Sequence, residues 1–432
     1  MDETNVRKII AKNMRTKKLV FLLLLLSAFS VYAQVLNSIS LSNCQQWAKA
    51  NYPLVKQHDL LVQSRDFTLS NASKAYLPQI QIMAQASYQS DVTKIPIPMP
   101  GLVGISKDQY KVYAELSQTL YDGGLVKNQK NIQSAITTID VNKLEVDLYA
   151  LQEKINQLYF GVLLFEAQLK QNELIKSDID AALKRMEAAV NYGTTLKSSQ
   201  NVLQAERLKV AQRSIELKAF RKAYLDMLSL FINQKIGENI VLEKPASLAL
   251  VQEIKRPELT LFASMGNLYK AQESLLNAKN LPKVNLFAQA GYGRPALNML
   301  NNDFTNYYVG GVRLNWNFSG LYTLHNEKSI LELNKKMVSV QQETFLFNTQ
   351  VQLQQQNAEM EKLNALIVTD IEIVSLRKQI KESAAAQLEN GIIQANDYLR
   401  EVNAEDLAQQ AKITHEIQLL LAQYTQQTTK GN

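Results

Sequence analysis

The chain repeats itself at an offset of 204 residues, and this constrains its architecture to two copies of one unit. Leu77-Pro78-Gln79-Ile80-Gln81-Ile82 returns as Leu281-Pro282-Lys283-Val284-Asn285-Leu286, and Ala84, Gln85, Ala86 and Tyr88 return in the same register as Ala288, Gln289, Ala290 and Tyr292. Upstream, Asn51-Tyr52-Pro53-Leu54 is echoed by Arg256-Pro257-Glu258-Leu259. A register shared over this span marks a duplication, in which each copy is one supersecondary unit packing against the other. It divides the chain into a leader (1–33), a first repeat (34–245), a linker (246–256) and a second repeat (257–432).

Each repeat opens with a helix (about 41–76 and 257–280) that ends at Pro78 or Pro282. Two segments that alternate with period two follow, giving four predicted strands at about 79–89, 110–121, 284–293 and 307–318. One face collects Ile80, Ile82, Val112, Leu116, Leu286, Val312 and Leu314. The other collects Gln79, Gln81, Lys111, Glu115, Asn285, Gln289, Arg313 and Asn315. Strands of about ten residues with one lipid-facing and one wet face are the pattern of a transmembrane β-barrel. Half-buried strands of a soluble sandwich would alternate in the same way. Two features favour the membrane. The polar face carries long charged and amide side chains suited to a lumen. Aromatics (Tyr88, Tyr110, Tyr121, Tyr292, Trp316 and Phe318) stand near the strand ends, as in an interfacial girdle. Four strands cannot close a barrel, which needs about eight, so closure requires several chains; three copies give twelve strands. The connections at about 90–109 and 294–305 are then the extracellular loops.

After the strands, residues 126–190 contain no proline and only one glycine, Gly161, and residues 325–388 contain neither. Apolar residues recur there at spacings of three and four, which predicts long coiled-coil helices. Each run ends in a glycine turn, Tyr192-Gly193 or Asn390-Gly391, and a second helical stretch follows. Helix length alone would also suit a soluble periplasmic coiled-coil adaptor or scaffold.

At the N-terminus, Lys17-Lys18, the 15-residue apolar run Leu19–Ala33 and Val31-Tyr32-Ala33 read as a signal peptide cut before Gln34, with Met14 an alternative start. Removing this segment takes the formal charge from +7 to +3, so the basic pI is no sign of nucleic-acid binding. Cys44 is the only cysteine and is expected to pack as a small apolar residue. His58, His325 and His415 have no second ligand at helical spacing, and there is no phosphate loop or nucleophile motif. No cofactor and no enzymatic activity are expected.

The order of these elements, with Cys44, Asn51-Tyr52-Pro53, Leu77-Pro78, Leu120-Tyr121-Asp122-Gly123-Gly124 and Gly193, and then the whole again from Arg256-Pro257, resembles the TolC family of outer-membrane efflux and secretion channels. That resemblance implies a mixed α/β membrane protein. Long helical hairpins would form an α-barrel, and four transmembrane strands per chain would build a twelve-stranded β-barrel in a homotrimer. It implies a passive exit duct for a tripartite efflux or type I secretion system, docked to a periplasmic adaptor and through it to an inner-membrane pump of RND, ABC or MFS type. The tip turns Tyr192, Gly193, Asn390 and Gly391 become adaptor contacts. Asp397-Tyr398-Leu399 matches the family's acidic constriction motif, so Asp397, its i+3 neighbour Arg400 and the first-repeat position Asn201 are gate candidates. Arg400 stands where some members carry a second Asp, and it is expected to pair with Asp397.

Overall fold

The computed structural model describes residues 38–93, 104–248 and 253–431. The expected signal peptide and its cleavage site lie outside the described residues, as do 94–103 of the first expected loop and 249–252 of the linker.

The first repeat runs β1 (Ser38–Ile39), α1 (Leu41–Asn51), α2 (Lys56–Ser73), β2 (Gln79–Tyr88), β3 (Asp108–Tyr121), α3 (Leu125–Tyr149), α4 (Leu151–Asn191) and α5 (Lys197–Ile232). β4 (Val241–Leu242) closes the first repeat, and the second runs α6 (Pro257–Lys279), β5 (Lys283–Arg294), β6 (Thr305–Asn315), α7 (Gly320–Glu389) and α8 (Ala395–Lys430).

The four long strands form one antiparallel sheet in the order β2-β3-β5-β6. Cross-strand partners share a face, so the register sorts the side chains directly. Ile82, Ala114, Ala290 and Tyr308 form one row of an apolar face, and Ile80, Leu116, Ala288 and Gly310 another. Gln81, Glu115 and Gln289 form a row of the polar face, and Thr119, Asn285 and Arg313 another. Glu115 accepts a hydrogen bond from Gln289 at 2.5 Å and lies 3.5 Å from Arg313, whose guanidinium sits 4.6 Å from the centre of the Phe287 ring. The polar face is therefore not purely hydrophilic: Met83 and Tyr113 pair on it, with the Tyr113 hydroxyl 3.1 Å from the sulfur. A register shift between Thr119 and Tyr121 sets Tyr121 opposite Val284, on the apolar side.

The last strand stops at Asn315, three residues before its predicted end at 318. Asn317 turns the chain there, its side chain accepting from Ser319 N at 2.9 Å, so Trp316 and Phe318 stand just past the strand, their rings tilted against each other at 4.7 Å. Asp122 plays the same part in the first half. Buried, it accepts from Gly124 N at 2.8 Å and Val126 N at 2.7 Å, starting α3. Burial alone would raise its carboxyl, but these amides and Tyr76 hold it below the usual range. Gly123 sits at φ +72°, where a Cβ would come within 2.7 Å of the Leu281 Cβ, so the turn admits no side chain.

Two predicted helices are divided. Pro53, lacking an N–H, breaks the first into α1, a 3-10 turn and α2. The second break, at Ala150, has no proline or glycine. It falls where Leu148 and Leu151 pack against Tyr52, Leu54 and Val55, so tertiary packing marks it. In the second repeat α7 runs unbroken for 70 residues, roughly 105 Å at 1.5 Å per residue. Nearest the sheet, α2 packs on α3, α3 on α6 and α6 on α7; further away, α4 pairs with α5, α7 with α8, and α4 with α8.

The main core lies where the two repeats meet. Ile39, Tyr159, Phe160, Leu228, Ile232, Leu242 and Leu420 cluster there around Cys44, which is fully buried, and burial pushes the thiol up to about 12. β1 and β4 pair in parallel beside it, and the Tyr159 hydroxyl lies 2.7 Å from both the Ile39 and the Glu243 carbonyls. Arg221 pins the segment leading into β4, donating to Glu166 at 2.6 Å and to the carbonyls of Glu238 and Ile240 at 2.6 and 3.0 Å. Tyr159→Phe removes the one hydroxyl proton that these two carbonyls share, while Ile39 O keeps Glu243 N at 3.1 Å, and is expected to cost about 1–2 kcal/mol. The thermal midpoint of the purified protein should fall; an unchanged midpoint would show that the hydroxyl does not hold the side layer.

Candidate functional site at the helical tip

The tip is built from two glycine turns of the same design. The α4–α5 turn closes with Gly193 N donating to Val190 O at 3.0 Å and Thr194 N to Ala189 O at 2.9 Å. The α7–α8 turn repeats this, with Gly391 N to Leu388 O at 3.1 Å and Ile392 N to Gln387 O at 2.9 Å. Both glycines are left-handed, at φ +70° and +67°, and both have open space around them, so backbone conformation rather than crowding selects glycine. The turns present apolar side chains to solvent: Tyr192 is 84% exposed and Leu196 and Ile392 are exposed beside it. Asn390 folds back, donating to Ala386 O at 2.8 Å.

Behind the turns a compact core ties the hairpins together. It joins Ile179, Leu183 and Met186 of α4, Leu203 and Val210 of α5, Ala384 of α7, and Tyr398, Leu399 and Val402 of α8. Charged pairs bridge the same helices. Arg185 contacts Glu389 across the α4–α7 seam. Lys381 donates to Asp178 at 2.7 Å and lies 3.5 Å from Glu405. Burial alone would lower the Lys381 ammonium, but Asp178 and Glu405 raise it above its ordinary value. Arg213 of α5 meets the buried Asp406 of α8 at 2.9 Å; desolvation nevertheless leaves that carboxyl raised. These residues do not appear among the sequence-derived candidates. Their signal was faint: opposite charges about one repeat apart, as in Arg185 and Glu389.

The gate candidates occupy the start of α8. Asp397 is the third residue of the helix and closes a capping box with Gln394, its carboxylate accepting from Gln394 N at 3.4 Å. Its expected pairing with Arg400 is present but long, at 3.8 Å, while Arg400 Nε lies 3.0 Å from Glu401. Glu401 also faces Arg377 at 3.4 Å. Asp397, Arg400, Leu376 and Ile380 line a cleft of about 590 Å3 between α7 and α8. Asn201 is exposed on α5, but it is not the structural counterpart of Asp397. Asp397 N donates to Gln394 O and Ser199 N to Leu196 O, both at 3.1 Å, which places Ser199 at the equivalent position. The expected counterpart, Asn201, is displaced by two residues from that position; the first-repeat helix begins at Lys197, with no side-chain cap.

A four-stranded sheet with one apolar face, mounted on helices of this length that end in paired glycine turns, defines the architecture. Residues 45–230 match the family model described as outer membrane efflux protein. Three solved structures share the fold. VceC from Vibrio cholerae, an outer membrane protein, is 13% identical, with a TM-score of 0.63, and the match covers 91% of this chain and 96% of that one. The CmeC outer membrane channel of Campylobacter jejuni is 13% identical, with a TM-score of 0.59 and coverages of 90% and 85%. The MtrE outer membrane channel of Neisseria gonorrhoeae, in its open state, is 14% identical, with a TM-score of 0.61 and coverages of 91% and 89%. No curated protein matches the chain. Residues 45–230 are thus similar to outer membrane efflux proteins, and the chain as a whole shares the fold of these solved structures.

Asp397 both caps α8 and carries charge at the cleft, whereas Arg400 makes only exposed ion pairs. Asp397→Ala should therefore cost about 1 kcal/mol and lower the thermal midpoint. Arg400→Ala should change stability by at most a few tenths of a kcal/mol. Equal midpoints for the two variants would remove the capping role.

Proposed function

We propose that three copies of this chain assemble a twelve-stranded barrel in the outer membrane, continued by a tunnel of helices through the periplasm. The observation that carries this reading is the sheet: one face is apolar, and β2 and β6 end it with free edges. Unpaired edge groups are not tolerated in lipid, and joining β6 of one copy to β2 of the next satisfies both. Gln79, Gln81, Lys111, Glu115, Asn285, Gln289, Arg313 and Asn315 then face the lumen, and Tyr88, Tyr110, Tyr121, Tyr292, Trp316 and Phe318 ring the two membrane interfaces.

The helices support the same assembly. Ile330, Leu333, Met337, Val340, Phe347 and Val351 are exposed along α7 at heptad spacing, the signature of a coiled-coil seam. Leu208 and Ile215 on α5, and Leu60 and Phe67 on α2, form further exposed strips with a period of seven. These strips are the contacts for neighbouring copies. At the tip, Tyr192, Gly193, Asn390 and Gly391 dock a periplasmic adaptor, which couples the tunnel to an inner-membrane pump. Substrate leaves passively, with energy supplied by that pump. Asp397 and Arg400 stand at the constriction. Asn201, two residues from the matching position, lies beside it.

The mature protein extracted from membranes is expected to run as a detergent-dependent trimer by light scattering; a monomer that stays soluble without detergent would favour the adaptor or scaffold alternative. In planar bilayers, Asp397→Ala combined with Arg400→Ala should raise single-channel conductance. An unchanged conductance would take both residues out of the gate.

A further inference from the structure

The connection between β5 and β6 folds onto the apolar face of the sheet. Tyr110 and Arg294 share a row there by strand register, and Tyr292 lies on the same face one row below. Phe304, the residue before β6, stacks on Tyr292 at 5.5 Å and approaches Tyr110 at 6.2 Å. The Arg294 guanidinium lies over the Tyr110 and Phe304 rings at 5.6 and 5.2 Å and is neutralised by Asp108. The foot of the connection is tied down further by Asn302, which accepts from Ser106 N at 2.8 Å and donates to the Ser106 hydroxyl at 3.0 Å. A loop guarding the lumen would have its foot on the polar face; this one is anchored on the opposite side.

Beyond the anchor, Pro295-Ala296-Leu297-Asn298-Met299-Leu300-Asn301-Asn302 carries no charge. Asn298 shapes a turn in it, its side chain accepting from Leu300 N at 3.0 Å. That turn leaves Leu297, Met299 and Leu300 about 60% exposed, three apolar side chains within four residues. The height is fixed by β5. The ten residue-to-residue steps from Val284 to Arg294 rise about 34 Å along the strand, or roughly 26 Å for a tilt near 40°. An apolar band is about 25 Å tall, so the Arg294 row lies at its outer boundary.

We infer that residues 297–300 are a lipid-binding element that inserts into the outer-leaflet boundary beside the barrel, with the partner a lipid surface. This rests on the barrel reading, since it requires the apolar face of the sheet to meet lipid. The neutral loop tip supplies the apolar contact. The Arg294–Asp108 pair and its aromatic rings hold the foot where headgroups begin, as interfacial aromatics and cations do.

Leu300→Cys in the full-length protein tests this, because native Cys44 is fully buried and its thiol is held protonated, so a polarity-sensitive thiol dye will label the loop selectively. In phospholipid vesicles the dye at residue 300 is expected to be quenched about twofold or more by lipids bearing a nitroxide near the headgroup, and little by aqueous iodide. Quenching by iodide instead would overturn the proposal. Protection from both quenchers would also overturn it, by showing that protein, including a second copy, covers the loop. Leu286→Cys, in the middle of the apolar face, separates the two readings. If residue 286 is quenched by a deep-chain nitroxide and residue 300 is not, only the loop proposal fails; if neither meets lipid, the barrel reading fails with it. Leu297→Cys repeats the measurement should Leu300→Cys not fold.

Discussion

Every backbone N–H and C=O that enters hydrocarbon must find a partner, and the rest of this architecture follows from that demand. Among the described residues no helix is long and apolar enough to cross a membrane; in the barrel proposed above, crossing is the work of the sheet. Its four strands satisfy their inner neighbours and leave β2 and β6 with unpaired edges. A soluble protein can cover such an edge with charge or a loop; a lipid-embedded one must close the ring. In the proposed barrel, the oligomer is therefore a requirement of the strand count. In the same proposed assembly the exposed heptad strip on α7 is covered lower down, where water rather than lipid penalises an uncovered apolar seam.

The strand-to-helix turns transmit the sheet's geometry into the periplasmic part. Asp122 and Asn317 do equivalent work in the two halves, each using its side chain to satisfy the amides that open the next turn. The halves differ in detail. Asp122 is buried and capped by two amides below a helix that later breaks at Ala150, whereas Asn317 leads into an unbroken α7. The break places Tyr149 against the end of α8, its hydroxyl donating to Thr428 O at 2.7 Å, with Arg256 stacked 5.2 Å from its ring. The first repeat thus bends to receive the C-terminal helix and the linker, while the second provides a straight member alongside.

Period-two alternation made the four strands readable because one face has to be apolar and the other does not. The same logic fails wherever the answer depends on a partner. The register shift at Thr119–Tyr121 changes no residue type, yet it moves Tyr121 to the apolar side. Tyr113 breaks the expected polarity of its face because it packs across to Met83 rather than toward lipid. Ala150 carries no breaking signal of its own; the residues that mark the break, Leu54 and Val55, are about a hundred positions away. Pro53 and Gly193, by contrast, act through their own backbone chemistry, and their effects can be read from a single residue. At the tip the turns were therefore legible and the bridges between hairpins were not. Lys381, Asp178 and Glu405 come from three helices, and no local pattern links them.

Asp397 shows why a motif match and a role are separate matters. The carboxylate that resembles a constriction charge is also the third-residue partner in a capping box, and a cap is a sufficient structural reason for an acid at that position. Arg400 has no such reason. It is 72% exposed, leans toward Glu401 at 3.0 Å, and reaches Asp397 only at 3.8 Å. An exposed pair of that length contributes little to stability, so folding does not require an arginine there. Its charge instead changes the field at the cleft that Leu376 and Ile380 line, partly offsetting Asp397 and Glu401. Of the two residues, Arg400 is the one whose identity folding leaves free, and under the proposed gate any selectivity at the tip depends on the balance between its charge and the two neighbouring acids.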